Sequence, residues 1–229
     1  AINQGTLAAS SNYVVTFTGS DLTISKKALT VTANPASKTY GAADPALTYT
    51  TSGLVDGDSL TGVLDRAAGE NVGTYAINQG SLDNANYEIT FVADDLTISK
   101  KALTVTADAK SKTYGDSDPA LTYTTIGLAD GDSLTGVLDR AVGENVGTYA
   151  INQGSLGNPD YTITFISANL TISKKALTVT ANPASKIYGS NDPTLTYSTS
   201  GLVGTDSLTG SLDRAAGENV GTYAINQGS

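Results

Sequence analysis

Between residues 28 and 98 apolar and polar side chains alternate in short runs: Leu29, Val31 and Ala33; Leu47 and Tyr49; Tyr75 and Ile77; Tyr87, Ile89 and Phe91; Leu96 and Ile98. A period of two over four to seven residues predicts half-buried β-strands, with Thr, Ser, Asn and Glu88 on the wet face. Turn chemistry separates the runs at Tyr40-Gly41-Ala42-Ala43-Asp44-Pro45, Asp56-Gly57-Asp58, Ala68-Gly69-Glu70-Asn71 and Asp83-Asn84-Ala85-Asn86. No window of ten or more residues carries an apolar stripe at helical spacing, so helix is expected only as single turns near Asp58–Leu60 and Leu64–Ala68.

The whole pattern recurs. Lys26-Lys27-Ala28-Leu29-Thr30-Val31-Thr32-Ala33 returns at Lys100 and Lys174, and Tyr40-Gly41 returns at Tyr114 and Tyr188, always 74 residues on; between 26–99 and 100–173 only 16 positions differ. A fixed period of this size predicts an array of small folded units. The expected fold class is mainly β: a tandem array of small β domains of about 74 residues, each with five to seven short strands in a β-sandwich-like or β-grasp-like arrangement. On this division residues 1–25 are the C-terminal part of a repeat, 26–99 and 100–173 are complete repeats, and 174–229 are the N-terminal part of another.

The alternation slips by one at each boundary. Leu22 and Ile24 follow the even register while Leu29, Val31 and Ala33 follow the odd one, with the same slip at Lys100-Lys101 and Lys174-Lys175. A one-residue slip sends side chains to the opposite face, so the chain is expected to leave one core before the Lys pair and enter the next after it. No Gly, Ser or Pro linker intervenes, which predicts a semi-rigid, elongated rod of units roughly 30 Å across and on the order of 100 Å for three. Residues 13–17 and 22–24 repeat the pattern of 87–91 and 96–98, which residues 174–229 lack. Head-to-tail self-association by strand complementation is therefore expected beside the neighbouring repeats as partners, unless the chain is a window on a longer array.

Composition narrows the function classes. The net charge of −9, from 22 acidic and 13 basic residues spread over the repeats, disfavours nucleic acid and anionic membrane as partners. Cys, Met, Trp and His are all absent, which removes thiol chemistry, thioether ligation and imidazole catalysis together. A thiol-free chain is indifferent to redox potential, as suits an extracellular or bacterial cell-surface location. No apolar run approaches a membrane span, so no membrane insertion is expected of this segment, and a signal peptide or anchor would lie outside it.

Four constellations invite chemistry. Gly57-Asp58-Ser59-Leu60, repeated at Gly131-Asp132-Ser133-Leu134, spells a serine-hydrolase block, but a serine nucleophile needs a base, and no His exists. No catalytic residue and no cofactor is expected. Asp56, Asp58, Asp130 and Asp132 are the candidate calcium ligands; the third copy, Gly204-Thr205-Asp206, lacks the first Asp, and the twelve-residue calcium loop pattern is missing. Lys38, Lys112 and Lys186 precede Tyr-Gly in every unit while Glu70, Asn71 and Asn78 recur, a set that would suit a Lys–Asn isopeptide crosslink if the Lys were buried and deprotonated; the plainer expectation is a solvated strand-end Lys. Tyr40, Tyr49, Tyr75 and Tyr87 would stack on sugars if exposed, but three of the four fall in the inward register.

The combination Tyr40-Gly41, Asp44-Pro45-Ala46-Leu47-Thr48-Tyr49, Gly57-Asp58-Ser59-Leu60, Ala68-Gly69-Glu70-Asn71-Val72-Gly73-Thr74-Tyr75-Ala76-Ile77, Asn86-Tyr87 and Leu96-Thr97-Ile98 resembles the MBG domain of the YGX type. The resemblance covers the whole chain and implies a strand-built repeat of bacterial surface proteins and adhesins, with no catalytic residues. The function expected from it is a structural stalk or fibre segment of a cell-surface or extracellular adhesin. The alternative is a multivalent module that binds a glycan or a host or matrix ligand by avidity.

Overall fold

A computed structural model describes residues 1–228. The chain divides into two compact units, one formed by residues 1–102, 129–131 and 158–162, the other by 103–128, 132–157 and 163–229.

In the first unit seven strands form two sheets: β1 (Lys27–Ala33), β2 (Ala36–Thr39), β3 (Tyr49–Ser52), β4 (Asp65–Arg66), β5 (Gly73–Asn78), β6 (Tyr87–Val92) and β7 (Asp94–Ser99). The three-stranded sheet has the order β3-β1-β6, with β1 antiparallel to β3 and parallel to β6. The four-stranded sheet runs β2-β7-β5-β4, with β7 parallel to β2 and antiparallel to β5. Alternation sends Leu29, Val31 and Ala33 of β1 and Tyr87 of β6 inward from one sheet, to meet Ile77 of β5 and Leu96 of β7 from the other, with Leu64 and Leu82 closing the core between them. Two sheets over one core make the unit sandwich-like. Each fully buried Leu or Ile contributes on the order of 1.5–3 kcal/mol.

The second repeat has the same strands: β8 (Lys101–Ala107), β9 (Lys110–Thr113), β10 (Tyr123–Ile126), β11 (Asp139–Arg140), β12 (Gly147–Asn152), β13 (Tyr161–Ile166) and β14 (Ala168–Ser173). Its sheets are β10-β8-β13 and β11-β12-β14-β9. Leu96, just before the Lys100-Lys101 slip, lies in a core with Leu29, whereas Ala107 just after it lies in a core with Ile151 and Leu170. The slip in alternation thus marks the change of core.

Strands form only where partners exist. The third repeat keeps β15 (Thr178–Ala181) against β16 (Tyr197–Ser200) and β17 (Asp213–Arg214) against β18 (Ile225–Asn226). Residues 184–187, counterparts of β9, are not a strand, because β9 pairs only with β14 and the third repeat has no β14 counterpart. Residues 1–25 were expected to carry strands at 13–17 and 22–24; instead they are exposed and form only the bridge Ile2–Ser20. Their counterparts β6 and β7 pair with β1, β2 and β5, and residues 1–25 hold no copy of β1 or β2.

Two further expectations are corrected. Residues 64–68 hold strand β4, not a helical turn, because Asp65 and Arg66 pair with Asn78 and Ile77. Residues 55–58 form a tight turn in which Asp58 N donates to Val55 O at 3.0 Å, and no helical turn follows at 58–60. Ile89 and Phe91 take the inward face as expected but are half-buried, packed against the core's rim, while Tyr87 is buried.

Candidate functional site

The densest polar cluster of each repeat is a closed ring of four charges. Strand β2 carries Lys38 on its inward position; the Tyr-Gly turn that follows supplies Asp44; β4 supplies Arg66; and the next turn supplies Glu70. Lys38 Nζ lies 2.6 Å from Asp44 Oδ1 and 2.5 Å from Glu70 Oε2. Arg66 Nε donates to Asp44 Oδ2 at 2.6 Å, and its Nη2 bonds to Glu70. Arg66 Nη1 donates to the carbonyls of Ala67 at 2.9 Å and Gly69 at 2.6 Å, tying the ring to the backbone. The guanidinium sits 5.5 Å from the Tyr75 ring centroid, and Tyr75 in turn donates its hydroxyl to Asn71 O at 2.8 Å. Gly69, at φ +141°, lies where a Cβ would overlap the Tyr75 ring.

The arrangement is repeated by Lys112, Asp118, Arg140 and Glu144 and by Lys186, Asp192, Arg214 and Glu218. Thus the Ala68-Gly69-Glu70-Asn71 turn serves the ring, through Gly69 O, the Glu70 carboxylate and the Asn71 O that holds Tyr75. Arginine was the missed signal: the chain has three, one per repeat at the same position.

The hydrogen bonds from Arg66 and Lys38 hold the Asp44 carboxyl down at about 2, as their counterparts do for Asp118 and Asp192, and Lys38 and Arg66 lower Glu70 as well. The same bonds raise Lys38. Carboxylates depressed in the folded state add stability above their unfolded values near 4, and that stability is lost as pH falls through about 2; a raised Lys adds stability below roughly pH 10.4, lost as pH rises through its folded value. Melting temperature is therefore expected to hold level from about pH 5 to 9 and to fall between pH 4 and 2. Lys38→Met should flatten the acid limb for its repeat, which amide exchange can localise.

This ring decides the fate of Lys38. Its side chain is 4% exposed, so it is not the solvated strand-end Lys expected from sequence. Its partners are Asp44 and Glu70, not Asn71 or Asn78, and an amine held protonated by two carboxylates is a poor nucleophile for an isopeptide bond.

The remaining candidates are placed as follows. Asp58 Oδ2 accepts the Tyr87 hydroxyl at 2.5 Å, and that hydroxyl also accepts Val55 N at 3.0 Å, so Asp58 pins its own loop to β6. Asp56 is exposed, as is Asp130. Among the described residues no group of three or more acidic, His or Cys side chains is placed to hold a metal. Ser59 O accepts Asn84 Nδ2 at 2.8 Å, a turn contact of the Asp58-Ser59 block. Of the four tyrosines, Tyr87 is buried and Tyr49 and Tyr75 are half-buried; Tyr40 meets the Tyr161 ring edge-on at 5.4 Å within the first compact unit.

Near-identical two-sheet units, with their repeated polar residues spent on internal bonds, define a tandem β-repeat protein. The chain belongs to the MBG domain (YGX type) family, whose pattern matches residues 29–97, 103–171 and 177–229. No curated protein matches it. Among the described residues no helix is long and apolar enough to cross a membrane.

Proposed function

We propose that this chain is a structural segment, part of a stalk or fibre of an extracellular or cell-surface bacterial protein, with no catalytic role. The observation that carries the reading is the charge ring. Each repeat invests its one Arg, its most buried Lys and two acids in holding its own turns, and three copies do so alike. Small-angle scattering of the chain should give an extended distance distribution. A compact distribution, or one that widens like a flexible chain, overturns the stalk. Reproducible micromolar binding on a glycan or mucin array would favour the multivalent binding module instead.

A specific observation supports self-association as part of the same reading. In the third repeat Leu177 and Val179 are 38% and 44% exposed, where their counterparts Leu29 and Val31 are 1% and 0%. Cavities of about 480 Å³ beside Lys186, Tyr223 and Ile225 and about 510 Å³ beside Leu177, Val179 and Tyr197 open where β7 and β6 sit in the first repeat. Residues 13–17 and 22–24 of a second copy carry the matching strands, including a Leu-Thr-Ile-Ser identical to 96–99. Strand addition of this kind is heterologous and builds open filaments. Deleting residues 1–25 should abolish concentration-dependent assembly in light scattering; unchanged assembly overturns it.

A further inference from the structure

The Tyr-Gly pair recurs in all three repeats, yet in the first it contributes no side chain to the core or to the charge ring. In the first compact unit Tyr40 meets Tyr161 edge-on at 5.4 Å. A Cβ on Gly41 would stand 4.0 Å from Ala129 Cβ. Val72 N also donates to Asp160 Oδ1 at 2.8 Å, and Asp160 is buried, only 9% exposed. Ala129, Asp160 and Tyr161 all belong by sequence to the following repeat.

The second compact unit repeats the theme with the next pair. A Cβ on Gly115 would lie 2.6 Å from Val203 Cγ2, so the turn approaches that loop as closely as a glycine permits. Tyr114 hydrogen-bonds to Asp206, which raises the phenol. Val203 and Asp206 are the 74-residue counterparts of Ala129 and Asp132. Tyr40 and Tyr114 are accordingly half-buried. In the third repeat Tyr188 is 70% exposed, Val220 is 91% exposed, and nothing lies within 4 Å of a Cβ on Gly189.

We propose that the Tyr-Gly turn is a docking edge whose partner is the loop of the next repeat centred on residues 129–131 or 203–206. It couples neighbours. The Gly is required at all three turns by a positive φ, and at Gly115 also by the side chain of Val203, while the Tyr supplies a flat apolar ring whose hydroxyl, at Tyr114, reaches Asp206. The exposed Tyr188-Gly189 edge is the same surface ready for a further repeat of this kind. This rests on the reading of the chain as a spaced array, and it names the contact that sets the spacing.

The test uses the full chain, which has no Cys, so that spin labels placed at Thr164→Cys and Ser198→Cys are unique. Both positions are exposed on strands, one in the second repeat and one in the third. Tyr114→Ala should broaden the label-to-label distance distribution severalfold, whereas Tyr188→Ala should leave it unchanged. A thermodynamic cycle of Tyr114→Phe with Asp206→Ala, read by denaturant unfolding, should show a coupling of about 2- to 10-fold in the unfolding equilibrium constant. An unchanged distribution with additive single variants overturns the docking edge. If the parent distribution is itself broad while the cycle still couples, the stiff array fails and the docking contact stands.

Discussion

Gly143→Ala is expected to destabilise the second repeat by about 3–5 kcal/mol, combining backbone strain and overpacking. Gly143 has φ +148°, a conformation that alanine reaches only under strain, and the added Cβ would overlap the ring of Tyr149. That ring has nowhere to go. It packs 5.5 Å from the Arg140 guanidinium and donates its hydroxyl to Asn145 O at 2.7 Å, so displacing it unseats Arg140 from Asp118 and Glu144. Gly131→Ala is the control: Gly131 has φ +87° with nothing within 4 Å of a Cβ, so it carries only the backbone cost of roughly 1–2 kcal/mol. Hydrogen exchange resolves the two, because Gly143→Ala should deprotect β11 and β12 while leaving β1 and β6 protected. Equal losses from both variants would remove the Tyr149 ring from the argument.

Much of this unit was readable from alternation. Leu29, Val31, Ala33, Tyr87, Leu96 and Ile98 are inward and buried as period two requires. The change of core at the Lys pairs was visible in the register slip, because facing is a local property of a strand. What alternation missed was long-range. Strand β2 holds only four residues, and its inward side chains are a small Ala36 and Lys38, a residue whose burial depends on Asp44 and Glu70 arriving from turns 6 and 32 residues on. Strand β4 is two residues long and carries the Arg, so no hydrophobic pattern announced it.

Pairing order was equally hidden. β1 lies parallel to β6 across the whole repeat, and nothing in either strand's own sequence encodes that partner. The Tyr-Gly turn read as punctuation for the same reason. Its purpose lies in a loop about 90 residues downstream, and a turn signal reports only the local backbone. The family pattern is thus a composite: core positions readable one strand at a time, and ring and turn positions meaningful only after folding.

The same four residues, Leu-Thr-Ile-Ser, occur at 22–25, 96–99 and 170–173, and their leucines are expected to respond in opposite ways to truncation. Leu96 and Leu170 are both 0% exposed, each held in a strand between two neighbours, so Leu96→Ala or Leu170→Ala should cost its repeat about 2–5 kcal/mol. Leu22 is 72% exposed and belongs to no strand, so in dilute solution Leu22→Ala should change stability by no more than about 0.5 kcal/mol. The contrast isolates context from sequence, since the residue and the three that follow it are identical. It also bears on assembly. If residues 22–24 of one copy enter the third repeat of another, Leu22 becomes the counterpart of Leu96 in that joint, and its replacement should then weaken association while leaving the dilute chain untouched. Denaturant curves for the three variants at low and high protein concentration separate these effects. A Leu22→Ala variant that matches the parent at every concentration would show that the strand does not enter another chain. A large loss in the dilute chain would show instead that residues 1–25 pack within their own.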